Sequence, residues 1–182
     1  MISREKALNL VKEHIKTKNL VKHVLATEAV MRGLARRLDE NEELWGIAGL
    51  LHDLDYDYTK DEPEKHGYVT LELLKDEDVP QEVKDAILAH CGKKERVTKI
   101  EKAIYAADPT TGFIVAAALI NPQKKLAPLD VPFLLRRFKE KAFARGANRD
   151  QIKTCEELGL SLEEFLQIAL DSMKGISEDL GL

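Results

Sequence analysis

Apolar residues recur every three or four positions along almost the whole chain, and the strict alternation of a half-buried strand is hard to find. A first helix is predicted from about Arg4 to Ile15, capped by Ser3, with Ala7, Leu8, Val11 and Ile15 on one face. Leu20, Val24, Met31, Leu34, Ala35 and Leu38 mark a longer second helix. Leu44, Ile47, Leu50, Leu51 and Leu54 mark a third, ending near the acidic, aromatic stretch Asp55 to Tyr58. Pro63 begins a fourth, and Pro80 opens a fifth at a position where proline's missing N–H costs little. Ile100, Ala103, Ile104 and Ala107 build a sixth, which Pro109 is expected to end or kink.

The small apolar run Gly112 to Ile120 reads as a buried seventh helix, broken by Asn121-Pro122. A basic region follows from Lys124 to Arg149, with short helical pieces between Pro128, Pro132 and Gly146. Gly159 is placed as a helix C-cap, and Ser161 with Glu164 as the capping box of a last helix through Phe165, Ile168, Ala169 and Met173. There is no internal repeat and no low-complexity linker. The expectation is an all-α, single-domain helical bundle spanning residues 1–182.

Composition narrows the options. A formal net charge of −4 gives no global attraction to nucleic acid or anionic lipid, so an anionic substrate must be met by a local cluster. Aromatic residues make up 5 %, too few for an evident base-stacking platform, so nucleic acid is not the expected partner. Cys91 and Cys155 match neither a disulfide framework nor a zinc motif and are read as free thiols of a reducing cytoplasm. The longest apolar run, Phe113 to Ile120, is too short to span a bilayer, and Lys6, Lys12 and Glu13 interrupt anything like a signal peptide. A cytoplasmic protein without membrane association is expected.

The chemistry concentrates in the histidines. Of five, His14 fits no pattern and is read as solvated, while four fall in an ordered set with two carboxylates. His23 lies on the second helix, His52-Asp53 closes the third, His66 follows a short acidic loop, His90 ends the fifth, and Asp108 ends the sixth. Imidazole nitrogens and carboxylate oxygens suit iron, manganese, zinc and similar divalent ions. His52 and Asp53 are adjacent and share no helix face, so they reach one ion only over a frayed last turn.

That set resembles the HD-domain superfamily of metal-dependent phosphohydrolases. The resemblance is carried by His23 in LVKHVLATEAVMRGLA, His52-Asp53 in AGLLHDLDYD and Asp108 in KAIYAADPT, and covers about residues 20 to 110. His66 and the segment AILAHCG are further similar to members that bind two metals, among them the bacterial symmetrical dinucleoside-tetraphosphate hydrolases. The resemblance implies a helical fold with one or two divalent ions (Fe, Mn, Mg, Zn or similar). His23, His52, Asp53 and Asp108 would surround the first, and Asp53 would bridge to a second held by His66 and His90. It implies hydrolysis of a phosphoester or phosphoanhydride in a small, nucleotide-like substrate. The chain departs from several branches at Tyr56, where they carry Lys or Glu three positions after the Asp of the pair. That departure keeps open a regulatory or ligand-binding domain with little turnover.

Around Tyr56, Asp53, Asp55 and Asp57 are the candidate catalytic carboxylates. Asp55 and Asp57 serve either as general base or outer-shell ligand, or as part of a solvated acidic loop capping the next helix. In the basic extension of about residues 124–182, Lys141, Arg145 and Arg149 are candidate substrate-phosphate contacts beside Gly146. The alternative is an exposed helix face of mixed charge.

Overall fold

The computed structural model describes residues 1–182, and every regular element in it is helical. Eleven α-helices follow one another: α1 (Arg4–His14), α2 (Lys18–Leu38), α3 (Glu42–Leu51), α4 (Tyr56–Thr59), α5 (Tyr68–Leu73), α6 (Gln81–His90), α7 (Lys99–Ile120), α8 (Val131–Phe138), α9 (Arg149–Lys153), α10 (Leu162–Lys174) and α11 (Ser177–Leu180). Two 3₁₀ turns, Pro63–Lys65 and Thr154–Leu158, complete the set. One contiguous core is built chiefly from Met31 and Leu34 of α2, Ile47, Leu50 and Leu51 of α3, Ile87 of α6, Ile104, Phe113 and Ile114 of α7, and Phe165 of α10.

α2 and α3 form the most extensive helix pair, and they approach so closely that small residues are required between them. A Cβ on Gly49 would lie 2.8 Å from the Glu28 backbone nitrogen and Cα. α10 packs on α2, α6 packs on α7, and α7 in turn packs on α2. Ser3 caps α1 and Asn41 caps α3, each accepting from a backbone N–H three residues on. Asp39, in the left-handed region at φ 57°, ends α2.

α7 differs from expectation. The two helices foreseen on either side of Pro109 are one unbroken helix of 22 residues. Proline removes the N–H that would serve the Tyr105 carbonyl four residues earlier. The gap is filled from outside, because Gln151 Nε2 donates to that carbonyl at 2.9 Å. At its start, Thr98 and Glu101 form a reciprocal capping box. By length and composition alone α7 is long and apolar enough to cross a membrane. In the bundle it is a core helix, with Ile104, Ala107, Phe113 and Ile114 fully buried.

The helix foreseen from Pro63 is also different. Pro63–Lys65 is a single 3₁₀ turn, the chain reverses at Gly67 with φ 90°, and α5 starts only at Tyr68. Near the C-terminus, Gly159 takes the left-handed cap position at φ 76°, as expected. Ser161 caps α10 through the Glu164 N–H at 3.1 Å, but the Glu164 carboxylate turns to Arg37 instead of closing a box.

Candidate metal centre

Helix geometry brings His23, His52, Asp53, His66, His90 and Asp108 together at one end of the bundle. His23 projects from the second turn of α2, and α3 stops at Leu51, so His52 and Asp53 stand beyond its last turn. His90 is the last residue of α6, and Asp108 is held one residue before Pro109 in α7. His23 Nε2 lies 3.1 Å from His52 Nε2 and 2.9 Å from Asp108 Oδ1. His66 Nε2 lies 3.1 Å from His90 Nε2.

Asp53 sits between the two imidazole pairs and divides its oxygens between them. Oδ2 faces His23 and His52 at 3.2 and 3.3 Å, while Oδ1 faces His66 and His90 at 3.2 Å each. His23, His52, Asp53 and Asp108 converge tightly enough to hold a single ion, and His66 and His90 form a second group with the neighbouring Cys91.

Every one of the four imidazoles has its other nitrogen engaged by an acceptor. His52 Nδ1 donates to the Gly49 carbonyl at 2.6 Å, and His90 Nδ1 donates to the Ile87 carbonyl. His66 Nδ1 donates to Asp55 Oδ1 at 2.6 Å. His23 Nδ1 donates to Thr111 Oγ1 at 2.9 Å, a hydroxyl whose own proton goes to the Asp108 carbonyl. These partners fix tautomers in which neutral rings turn their Nε2 lone pairs into the centre. Two lone pairs facing each other at 3.1 Å need a cation or a proton between them. The donor set therefore fits divalent metal ions, with the oxygen and imidazole ligands such ions take.

Without an ion, protons take that place. Burial opposes charge on His23, but Asp108 and Asp53 outweigh it and raise its pKa to about 9. Burial likewise opposes charge on His66, while Asp53 and Asp55 lift it to about 9. His52 is raised as well, against burial, by Asp53 and Asp108. The surrounding imidazoles keep Asp53 and Asp108 ionised against burial.

Over the centre lies a cavity of about 630 Å³. His23, Asp53, His66 and Asp108 line its floor, and small residues of α7 and the loop before α9 (Gly112, Ala116, Ala144, Gly146 and Ala147) line the facing wall. Asn19, Tyr56 and Gln151 contribute the remaining polar groups. Tyr56 is exposed at the mouth, its ring edge-on to His66 at 5.8 Å.

Two of the three candidate carboxylates make the contacts of the alternatives left open for them, Asp55 as an outer-shell partner of His66 and Asp57 as a loop cap. Asp55 is fully buried and saturated: beside His66, it accepts the Gly67 and Thr70 N–H groups at 2.7 and 2.9 Å. It is a support for His66, with no lone pair directed at substrate. Asp57 accepts the backbone N–H groups of Lys16 and Thr17 and the Thr17 hydroxyl, and so closes the turn before α2. These are the contacts of the loop-capping alternative. Asp53 alone stays in the centre.

The phosphate clamp read from the basic segment is corrected in part. Arg149 points inward, donates to six backbone carbonyls between Arg137 and Ala147, and lies over the Phe113 ring at 4.9 Å. A guanidinium used in this way pins the loop and has no donor to give a substrate. Arg145 and Lys141 remain exposed, and Arg145 stands between the cavity-lining Ala144 and Gly146. His14 bonds Tyr58 Oη at 2.9 Å outside the centre. The reading of the sequence missed Thr111, Thr70 and Gln151, none of which carries a signal by residue type alone.

A family model described as HD domain matches residues 20–111, and the chain belongs to that family, whose members are typically metal-dependent phosphohydrolases. Among curated proteins, Ribonuclease Y of Acholeplasma laidlawii (strain PG-8A) is 33 % identical over 90 residues. The alignment covers 50 % of this chain and 17 % of that relative, so the chain spans only a small part of the protein it matches. No solved structure gives a significant match.

Proposed function

We propose that the protein hydrolyses a phosphoester or phosphoanhydride bond in a small nucleotide-like substrate, with two divalent ions bound on either side of Asp53. The observation that carries this reading is the division of the Asp53 carboxylate between two imidazole pairs beneath an open cavity. Divalent ions held there would supply Lewis acidity toward a phosphoryl oxygen and a bound water acidified toward about pH 7. The chain's own contribution is positioning. Thr111 and Asp55 set the rings of His23 and His66, and the backbone carbonyls of Gly49 and Ile87 set those of His52 and His90. Tyr56, in place of the Lys or Glu of other branches, presents its hydroxyl at the mouth, where it can donate to a leaving oxygen. Arg145, exposed between the cavity-lining Ala144 and Gly146, is the candidate cation for phosphate at the rim.

Dinucleoside polyphosphates are the first substrates to try, on the resemblance of His66 and AILAHCG to that branch. The likeness to Ribonuclease Y makes a short oligoribonucleotide the second. The test is a panel of these with bis-(p-nitrophenyl) phosphate, assayed with Mn²⁺, Fe²⁺ and Mg²⁺, on wild type and on Asp53→Ala. Metal-dependent turnover lost in the variant supports the enzyme. Metal uptake with no turnover of any substrate favours the regulatory, ligand-binding alternative.

A further inference from the structure

One side chain on the cavity wall is locked in a single orientation by an irregularity of the backbone. Pro109 leaves the Tyr105 carbonyl without its helical donor, and Gln151 Nε2 takes that place at 2.9 Å. The backbone of Gln151 is tied down too. Its N–H donates to Asn148 Oδ1 at 3.0 Å, and its carbonyl accepts the Thr154 hydroxyl at 2.6 Å. A carbonyl only accepts, so the amide nitrogen must face Tyr105 and the amide cannot flip. Oε1 is left with no protein donor, in a residue that lines the cavity alongside Asp108 and Pro109.

We propose that Gln151 Oε1 is a specificity-determining acceptor that reads an N–H donor on the uncharged part of the substrate, the exocyclic amine of an adenine or cytosine base. This rests on the phosphohydrolase reading of the cavity. An acceptor oxygen repels phosphate, so the charged end of the substrate belongs over the metal ligands and the base belongs on this side. Gly112, Ala116 and Ala147 keep the adjoining wall low and uncharged, which leaves room for a planar ring. On nucleobases the amines of adenine and cytosine are donors at the reading edge, whereas a 6-oxo purine sets a second acceptor there.

The test is equilibrium binding of AMP, IMP and purine-riboside 5′-monophosphate to the Mn²⁺-loaded protein. AMP is expected to bind about tenfold more tightly than either analogue, the size of one net hydrogen bond. Gln151→Leu should bring all three to the same affinity. Pro109→Ala gives Tyr105 its helical N–H back and frees the amide to turn, so the preference for AMP should shrink while metal content stays constant. Equal binding of AMP and purine-riboside monophosphate by the wild type overturns the proposal, as does a preference that survives both substitutions. Hydrolysis of bis-(p-nitrophenyl) phosphate, which has no base, separates the two readings. Turnover without base preference removes only the role of Gln151, and base preference without turnover removes only the enzyme.

Discussion

Asp55 shows how much of this centre is decided by residues outside the His/Asp cluster itself. Its two oxygens hold the His66 ring and the backbone of Gly67 and Thr70, and burial is outweighed so that it stays ionised. Asp55→Asn must set an amide NH₂ against at least one of these donors. Supporting carboxylates of this kind are worth about 10–100-fold in metal affinity. A Mn²⁺ titration of Asp55→Asn should therefore show weakening of that order at the His66–His90 side, and wild-type affinity would overturn the assignment. The members of the His/Asp cluster were legible in the chain as an ordered set, and the fold brings them together at one end of the bundle. What was not legible was what Asp55 and Asp57, beside Asp53, do. Three carboxylates spaced by two residues look alike until the chain stops being helical at Leu51 and the turn assigns each a direction.

Among the elements, the crossing of α2 and α3 sets the distance between His23 and the His52-Asp53 pair. Gly49 is the contact that permits it, with a Cβ there meeting Glu28 and Thr27 backbone at 2.8–2.9 Å. Backbone cannot swing aside as a flexible side chain would, so Gly49→Ala should cost about 1–3 kcal/mol, the range of overpacking. Gly112 on α7 is the control, since a Cβ there meets nothing within 4 Å. Gly112→Ala should hold or raise stability by up to about 1 kcal/mol from helix propensity. Urea unfolding of the two variants checks the contrast, and equal midpoints would show that the crossing has slack. Most helices were visible as apolar periodicity. The join across Pro109 was not, because it depends on Gln151, a partner 42 positions further along the chain than the proline. Local pattern reading has no access to a donor supplied from another element, and the same limit hid the inward turn of Arg149.

For the molecule as a whole, the centre ties protonation to stability, and a metal bound there would compete for the same ring nitrogens. In the metal-free protein His23 and His66 have their pKa values raised from 6.5 to about 9. Groups raised on folding stabilise the native state fully below about pH 6.5, and that contribution is lost as pH rises toward 9. The metal-free bundle should therefore weaken through this window. Metal binding runs the other way, because each ring must give up its Nε2 proton to become a ligand, so affinity rises as protons become scarce. Bound metal stabilises the fold by an amount that grows with the logarithm of the free metal concentration over its dissociation constant. The two slopes add. The rise in melting temperature produced by saturating Mn²⁺ should grow steadily from pH 6.5 to 8.5, with proton release on titration shrinking over the same range. Calorimetry in buffers of different ionisation enthalpy measures the protons, and thermal scans with and without Mn²⁺ measure the increment. An increment that is flat or falls with pH would mean that these imidazoles do not exchange protons for metal. The tight Nε2 pairs would then be held together by the protonated rings and the ionised Asp53 and Asp108 alone.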